Sequence, residues 1–229
     1  MSQDGGESSR LIVLDYGAGN LRSVAKALES VGARPVVTSD PADVDSADVV
    51  VLPGVGAAAD TMSSLTSLGL ADPIRRFVRS GRPFFGVCLG LQVLLDGSEE
   101  GGWQECLGLI PGVVRRFDGR HITDEDRALK IPHMGWNQVR QRTRHPLFDG
   151  IPDGANFYFV HSYFARPLDP TTVAGETEYG EVFPSVLIRE NVVATQFHPE
   201  KSADFGIRLY ANFLAWARNG AFARAGTGG

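Results

Sequence analysis

Cysteine is scarce: two in 229 residues. That is too few for a disulfide framework, and reduced thiols in a cytoplasmic setting are the expectation. Long apolar runs are missing, none approaching the roughly 20 residues a membrane-spanning helix needs. Residues 1–10 lack the hydrophobic stretch of a secretory signal. A basic excess is absent too. With 22 Lys and Arg against 27 Asp and Glu, the net charge is −5. No basic stripe stands ready to neutralise phosphates, which argues against a nucleic-acid partner. There is no Gly-x-x-x-x-Gly-Lys-Ser/Thr phosphate loop and no internal repeat. The histidines (His121, His133, His145, His161 and His198) are too scattered for a metal set, so neither metal nor cofactor is expected.

What remains is a chain long enough for one α/β domain with a substantial core. The expected bounds are residues 11–218, with a loosely ordered N-terminus over 1–10 and a flexible tail over 219–229. Apolar runs at 11–15, 34–38, 48–52 and 83–87 read as strands. Between them lie a helix with Leu21, Val24, Ala25, Leu28 and Val31 on one face, stopped by Gly32, and another ending over 74–80 at Gly81. A helix over 89–95 follows the fourth strand. This alternation predicts a mostly parallel central sheet flanked by helices. Beyond about residue 108 the pieces shorten. Strands at 113–117, 138–141, 156–163, 185–188 and 192–197 predict an additional antiparallel region. A last helix over 204–217 carries Phe205, Leu209, Phe213 and Trp216 as its apolar stripe.

Gly86-Val87-Cys88-Leu89-Gly90 falls where the 83–87 strand turns into a helix. It is the thiol form of the Gly-x-Ser-x-Gly nucleophile elbow, in which a sharp turn exposes the nucleophile and flanking glycines remove colliding side chains. The turn puts Cys88 at a helix N-terminus, where the dipole favours thiolate, and aims the Leu89 N–H at a developing oxyanion. By itself the pentapeptide leaves open a buried structural cysteine between packing glycines. Pro53-Gly54-Val55-Gly56 ends the 48–52 strand, at the same carboxyl edge of a parallel sheet, and can present further backbone N–H groups. Cys106 has no such setting and reads as a small hydrophobe. His198 ends a strand-like run and precedes Pro199-Glu200. Proline keeps the segment extended, so Glu200 can reach one ring nitrogen and turn the other toward a thiol. The tripeptide alone is more often a surface turn.

The elbow with Gln92 behind it, and Thr195-Gln196-Phe197-His198-Pro199-Glu200 far downstream, resemble the class I (triad) glutamine amidotransferases. Further segments are similar to one branch of them, the glutaminase subunits of imidazole glycerol phosphate synthase. These are Asp15-Tyr16-Gly17-Ala18-Gly19-Asn20-Leu21, Ile131-Pro132-His133-Met134-Gly135-Trp136-Asn137, Phe159-Val160-His161-Ser162-Tyr163 and His198-Pro199-Glu200-Lys201-Ser202. The resemblance spans residues 11–216. It implies a fold like that of class I glutamine amidotransferases, L-glutamine as substrate, Cys88 as nucleophile, His198 as general acid/base and Glu200 as its partner. It further implies Gly54, Val55, Gly56 and Leu89 at the oxyanion hole. Gln92 and Glu100 match positions that the resemblance implies hold the ends of glutamine, with backbone contacts expected from Ser162 and Tyr163. The implied partner is a separate (β/α)8-barrel cyclase, forming a heterodimer in histidine biosynthesis. Trp136, Tyr158 and Lys201 are the candidate docking residues; core packing for the two aromatics and a solvated charge for the lysine are the alternatives. Ala57-Ala58-Ala59 departs from the bulky aromatic often found after the oxyanion turn. Other readings of the same triad are the glutaminase of anthranilate or aminodeoxychorismate synthesis, a stand-alone γ-glutamyl hydrolase, and a non-catalytic subunit on this fold.

Overall fold

The computed structural model describes residues 9–17, 19–118 and 130–221. Ala18, His121 and most of the two expected tails lie outside the described residues. Residue 10 already belongs to the fold: the Arg10 amide donates to Asp48 at 2.7 Å and its guanidinium pairs with Asp43. At the other end the helical path continues over Ala217–Ala221, past the expected boundary at 218.

The first half alternates as its hydrophobic periodicity demands. In order come β1 (Leu11–Leu14), α1 (Leu21–Ser30), β2 (Val36–Thr38), α2 (Pro41–Asp45), β3 (Val49–Leu52), α3 (Ala58–Ser67), α4 (Ala71–Arg79), β4 (Phe84–Val87) and the single-turn α5 (Leu89–Gln92). The second half is strand-rich: β5 (Gly97–Ser98), β6 (Gln104–Glu105), β7 (Gly112–Arg116), β8 (His133–Gln141), β9 (Ala155–His161), β10 (Tyr163–Pro167), β11 (Val173–Tyr179), β12 (Glu181–Arg189) and β13 (Val192–Thr195), closed by α6 (Ala203–Trp216).

These strands form a nine-stranded sheet, β2-β1-β3-β4-β13-β12-β11-β8-β9, and a four-stranded one, β10-β7-β5-β6. Links from β2 to β13 are parallel and those from β13 to β9 antiparallel. β1, β3, β4 and β13 are buried at every position, because helices cover both faces. Successive residues alternate between two cores. Ile12, Val50 and Phe84 pack with Leu65, Ile74 and Phe77 on the α3–α4 side. Val13, Val51 and Phe85 pack with Val24, Leu28, Leu209 and Phe213 on the α1–α6 side.

Some expected elements come out differently: the 156–163 strand ends at His161, and Tyr163 opens β10 in the other sheet. The helix after Cys88 stops at Gln92 rather than residue 95. The carbonyls of Val93, Leu94 and Leu95 accept instead from Leu107, Leu109, Ile110 and Gly108 at 2.8–2.9 Å, which tie the loop down in place of another helical turn. On α6 the inner face is Gly206, Leu209, Tyr210, Phe213 and Leu214, with Phe205 and Trp216 half-buried at its flanks. Gly206 sets that rotation: a Cβ there would stand 1.8 Å from the Pro199 carbonyl oxygen.

Glycines also bring the carboxyl ends of β3 and β4 together. A Cβ on Gly90 would lie 2.0 Å from the Leu52 carbonyl oxygen. Gly90→Ala therefore forces backbone apart and is expected to destabilise by about 2–3 kcal/mol, the upper range for overpacking. An unshifted urea midpoint would contradict this account.

Candidate active site

Cys88 stands between β4 and α5 at φ 54°, ψ −107°, a left-sided conformation that costs a non-glycine residue of order 1–3 kcal/mol. Its neighbours hold it there. The Cys88 amide donates to Thr195 of β13 at 2.7 Å, while its carbonyl accepts from Leu91 and Gln92 at 3.0 and 3.2 Å. The thiol is thereby presented to a cavity of about 390 Å³ at the carboxyl edge of the parallel strands. Cys88, His198, Val55, Gly56, Leu89, Gln92, Glu100, Ser162 and Tyr163 all line it. Gly54 does not. A Cβ on Gly54 would be 2.4 Å from the Gly90 nitrogen, so this residue serves close packing behind the cavity rather than its wall.

β13 delivers His198 alongside Cys88, since Thr195 pairs with Val87 across the parallel ladder. The Pro199–Lys201 turn then folds Glu200 back beneath the ring, and His198 Nδ1 meets Glu200 Oε1 at 2.8 Å. His198 and Glu200 side chains are both almost fully buried, at 2% and 1% exposure. Burial alone would lower the pKa of His198, but the Cys88 sulfur and the Glu200 carboxylate outweigh it and carry the pKa up to about 10. His198 Nε2 is buried and has no hydrogen bond of normal geometry among the described residues. The sulfur instead lies 3.7 Å from Gln196 Nε2 and 4.0 Å from the Val160 carbonyl. Such looseness before substrate binds is common in apo triads.

Three residues tend this pair without having been singled out from the sequence. Asn20, at φ 73° before α1, donates to Glu200 Oε1, and the Tyr210 hydroxyl lies 3.5 Å from Oε2. Burial, then the Glu200 charge, keep that hydroxyl protonated far above its ordinary range. Gln196 contacts the sulfur. Asn20 and Gln196 stand in the sequence only inside the motifs Asp15–Leu21 and Thr195–Glu200, with no role of their own, and Tyr210 carries no signal. Tyr16 likewise sits beneath the Pro53–Gly56 turn and donates to the Pro53 carbonyl at 2.9 Å.

Gln92 gives both amide hydrogens inward, to Tyr163 O at 2.8 Å and Gln196 Oε1 at 3.1 Å. Its Oε1 has no partner among the described residues. Glu100 accepts from the Ala58 amide at 2.8 Å, at the first turn of α3. Trp136 and Lys201, both exposed, form a separate group with half-buried Tyr158. Trp136 is 55% exposed, its ring edge-on to Tyr158 at 6.2 Å, with Lys201 Nζ 5.8 Å over the Tyr158 ring. Core packing is thereby excluded for Trp136. Cys106 is buried away from this site, its thiol pKa pushed up to about 11 by burial.

A strained cysteine and a buried histidine–carboxylate pair around one cavity on an α/β scaffold make an arrangement able to carry out thiol-dependent acyl transfer. The family model described as glutamine amidotransferase class-I matches residues 12–216. The chain belongs to that family. It is 49% identical to the imidazole glycerol phosphate synthase subunit HisH of Dehalococcoides mccartyi, over 90% of this chain and 97% of that one. It is 50% identical to the HisH subunit of Chloroflexus aurantiacus, over 90% and 96%. Among solved structures, PurLQS from Thermotoga maritima superposes with a TM-score of 0.68 at 17% identity, covering 91% of this chain and 99% of that one. At that identity the likeness speaks for the fold.

The raised pKa of His198 has a signed consequence for stability. A histidine pKa raised on folding stabilises fully below about 6.5, the unfolded value, and that stabilisation is lost as pH rises through about 10. Cys88→Ser removes a principal raising group. The pH dependence of unfolding between 6.5 and 10 should therefore be shallower in this variant, and imidazole titration by NMR should show a lower pKa. Superimposable stability profiles would refute the coupling.

Proposed function

We propose that this chain is the glutaminase subunit of imidazole glycerol phosphate synthase, with Cys88, His198 and Glu200 as its catalytic residues. The observation carrying this reading is the His198–Glu200 pair set beside a strained thiol in a cavity fit for one amino acid. The relatives at half identity supply the pathway.

The Cys88 thiolate attacks the side-chain carboxamide carbon of glutamine. Charge gathers on the carboxamide oxygen, where the Leu89 N–H and the Val55–Gly56 backbone meet it. The tetrahedral intermediate collapses as His198 Nε2 gives its proton to the departing nitrogen. This yields ammonia and a γ-glutamyl thioester. Water then gives a proton to the same nitrogen, attacks the thioester and releases glutamate, restoring the thiolate–imidazolium pair. Glu200 holds the ring and balances its charge. Gln92 Oε1, an acceptor with no partner among the described residues, suits the α-ammonium group of glutamine, and the 162–163 backbone suits its α-carboxylate.

The ammonia is passed to a separate cyclase chain of (β/α)8-barrel fold, which forms imidazole glycerol phosphate and an aminoimidazole carboxamide ribonucleotide. We place the heterodimer interface on Trp136, Tyr158 and Lys201, and the complex in the cytoplasm. No helix among the described residues is long and apolar enough to cross a membrane. This docking face is bonded to the catalytic histidine. The Tyr158 carbonyl accepts from the His198 amide at 2.9 Å, the Tyr158 amide donates to Ser202 Oγ at 3.0 Å, and Ser202 Oγ donates to the His198 carbonyl at 2.6 Å. A partner pressing on Tyr158 thus acts on His198 through main chain, and the free chain is expected to turn over slowly.

Glutamate release should rise strongly when cyclase and its nucleotide substrate are both added, and vanish in Cys88→Ala. Steady release by the chain alone, unmoved by the partner, would favour the γ-glutamyl hydrolase reading. Trp136→Ala should weaken the complex by about 2 kcal/mol, as a buried aromatic anchor would. Calorimetry giving wild-type affinity would remove Trp136 from the interface.

A further inference from the structure

Two buried histidines take no part in the chemistry above. His133 of β8 lies directly opposite His161 of β9, with His133 Nδ1 and His161 Nε2 3.0 Å apart. Aromatic rings enclose them: His133 stacks on Tyr179 at 4.0 Å and on Phe159 at 4.8 Å, and Phe117 and Phe183 approach both. Packing alone would be served by two more phenylalanines, because a buried imidazole must be hydrogen-bonded to be tolerated.

The bonds around the pair permit one arrangement of protons. The Asn137 amide is oriented by its neighbours: its Oδ1 accepts from the Gln138 N–H at 2.8 Å and its Nδ2 donates to the Glu178 carbonyl at 2.9 Å. Its second hydrogen therefore goes to His133 Nε2, 3.2 Å away, which must be an acceptor. At the far end His161 Nδ1 faces the Tyr163 carbonyl at 2.8 Å and must be a donor. Each ring then carries its proton on Nδ1, and His133 donates to His161. Both rings are neutral: burial holds His133 near 4, and burial, opposed by the Tyr163 carbonyl but aided by His133 and His198, holds His161 near 3.

The Tyr163 carbonyl receives a second donor, Gln92 Nε2, at 2.8 Å. That bond fixes which way the Gln92 amide faces, hence its Oε1 as the atom left for a ligand, and hence Gln196 Nε2 as the donor toward Cys88. We infer that His133 and His161 are positioning residues, a one-way relay from Asn137 that holds the Tyr163 carbonyl and so sets the polarity of Gln92 toward the glutamine head group. The inference rests on the glutaminase reading. Without the relay the Tyr163 carbonyl can turn and Gln92 can flip, presenting N–H to an ammonium group. Binding suffers while the thiol chemistry persists.

The test uses the complex with cyclase at saturating nucleotide. His161→Asn keeps a donor in the Nδ1 position, whereas His161→Gln and His161→Phe do not. The last two should raise KM for glutamine about tenfold with kcat changed little, and His161→Asn should lie closer to wild type. Equal losses in all three, or losses in kcat alone, would overturn the positioning role. Long-range 15N spectra of the wild-type chain give a readout independent of activity and of how the variants fold. Both imidazoles should be in the Nδ1–H form and unchanged from pH 5 to 8. An Nε2–H ring, or titration in that range, would overturn the relay. If the wild-type complex releases no glutamate, the glutaminase reading fails instead, and the spectra still decide the relay.

Discussion

Backbone touching backbone where β3, β4 and α5 meet is the constraint on which the site depends. Cβ atoms added at Gly86 and Gly54 would come within 2.7 Å of the Gly90 oxygen and 2.4 Å of its nitrogen, and one at Gly90 would collide with the Leu52 carbonyl. Only glycine allows three chain segments so close. Their contact drives the chain through a turn tight enough to force Cys88 to φ 54°, and the turn that follows β3 sets Val55 and Gly56 in the wall of the same cavity. The strain at Cys88 and its nearness to the Val55–Gly56 backbone in one cavity thus have one geometric origin.

Around that fixed point the polar groups form two chains. One runs from Tyr158 through main chain and Ser202 to His198, then to Glu200 and its attendants Asn20 and Tyr210. The other runs from Asn137 through the histidine pair and Tyr163 to Gln92, Gln196 and the sulfur. Both begin on the β8–β9 pair, beside exposed Trp136. On the proposed function they serve different ends: the first orients the acid/base, and the second shapes the substrate wall. Buried networks of this kind are stable only when each donor finds its acceptor, which is why Asn137, His133 and His161 must act together.

The sequence was most legible where function is local. Gly86–Gly90 showed the elbow, because strand, turn and glycines are consecutive, and His198-Pro199-Glu200 displayed its geometry through a proline. The parallel strands were plain from apolar runs buried on both faces. β11 went unseen because Val173–Tyr179 mixes Gly, Glu and Thr with few large apolar residues, and its pairing with β8 and β12 decides it. α3 was missed because its sequence, small and polar, owes its start to a Glu100 carboxylate 42 residues away. Gln196 and Tyr210 were unreadable for a similar reason. Their partners come from other segments, and nothing beside them in the chain says that a buried amide or phenol will meet a catalytic atom.

The place of β13 in the sheet has a consequence for the order in which the protein comes into being. It fills the slot between β4 and β12, so on a chain emerging N-terminus first, the strand bearing Cys88 must wait about a hundred residues for its neighbour. Until then β4 lacks one of its two ladders, and the thiol has neither the Thr195 carbonyl that anchors its amide nor a histidine beside it. Non-local pairings of this sort are slow to close. A truncated or stalled chain therefore carries the cysteine without His198 beside it, and the Cys88–His198–Glu200 arrangement arises only once nearly the whole domain has been made.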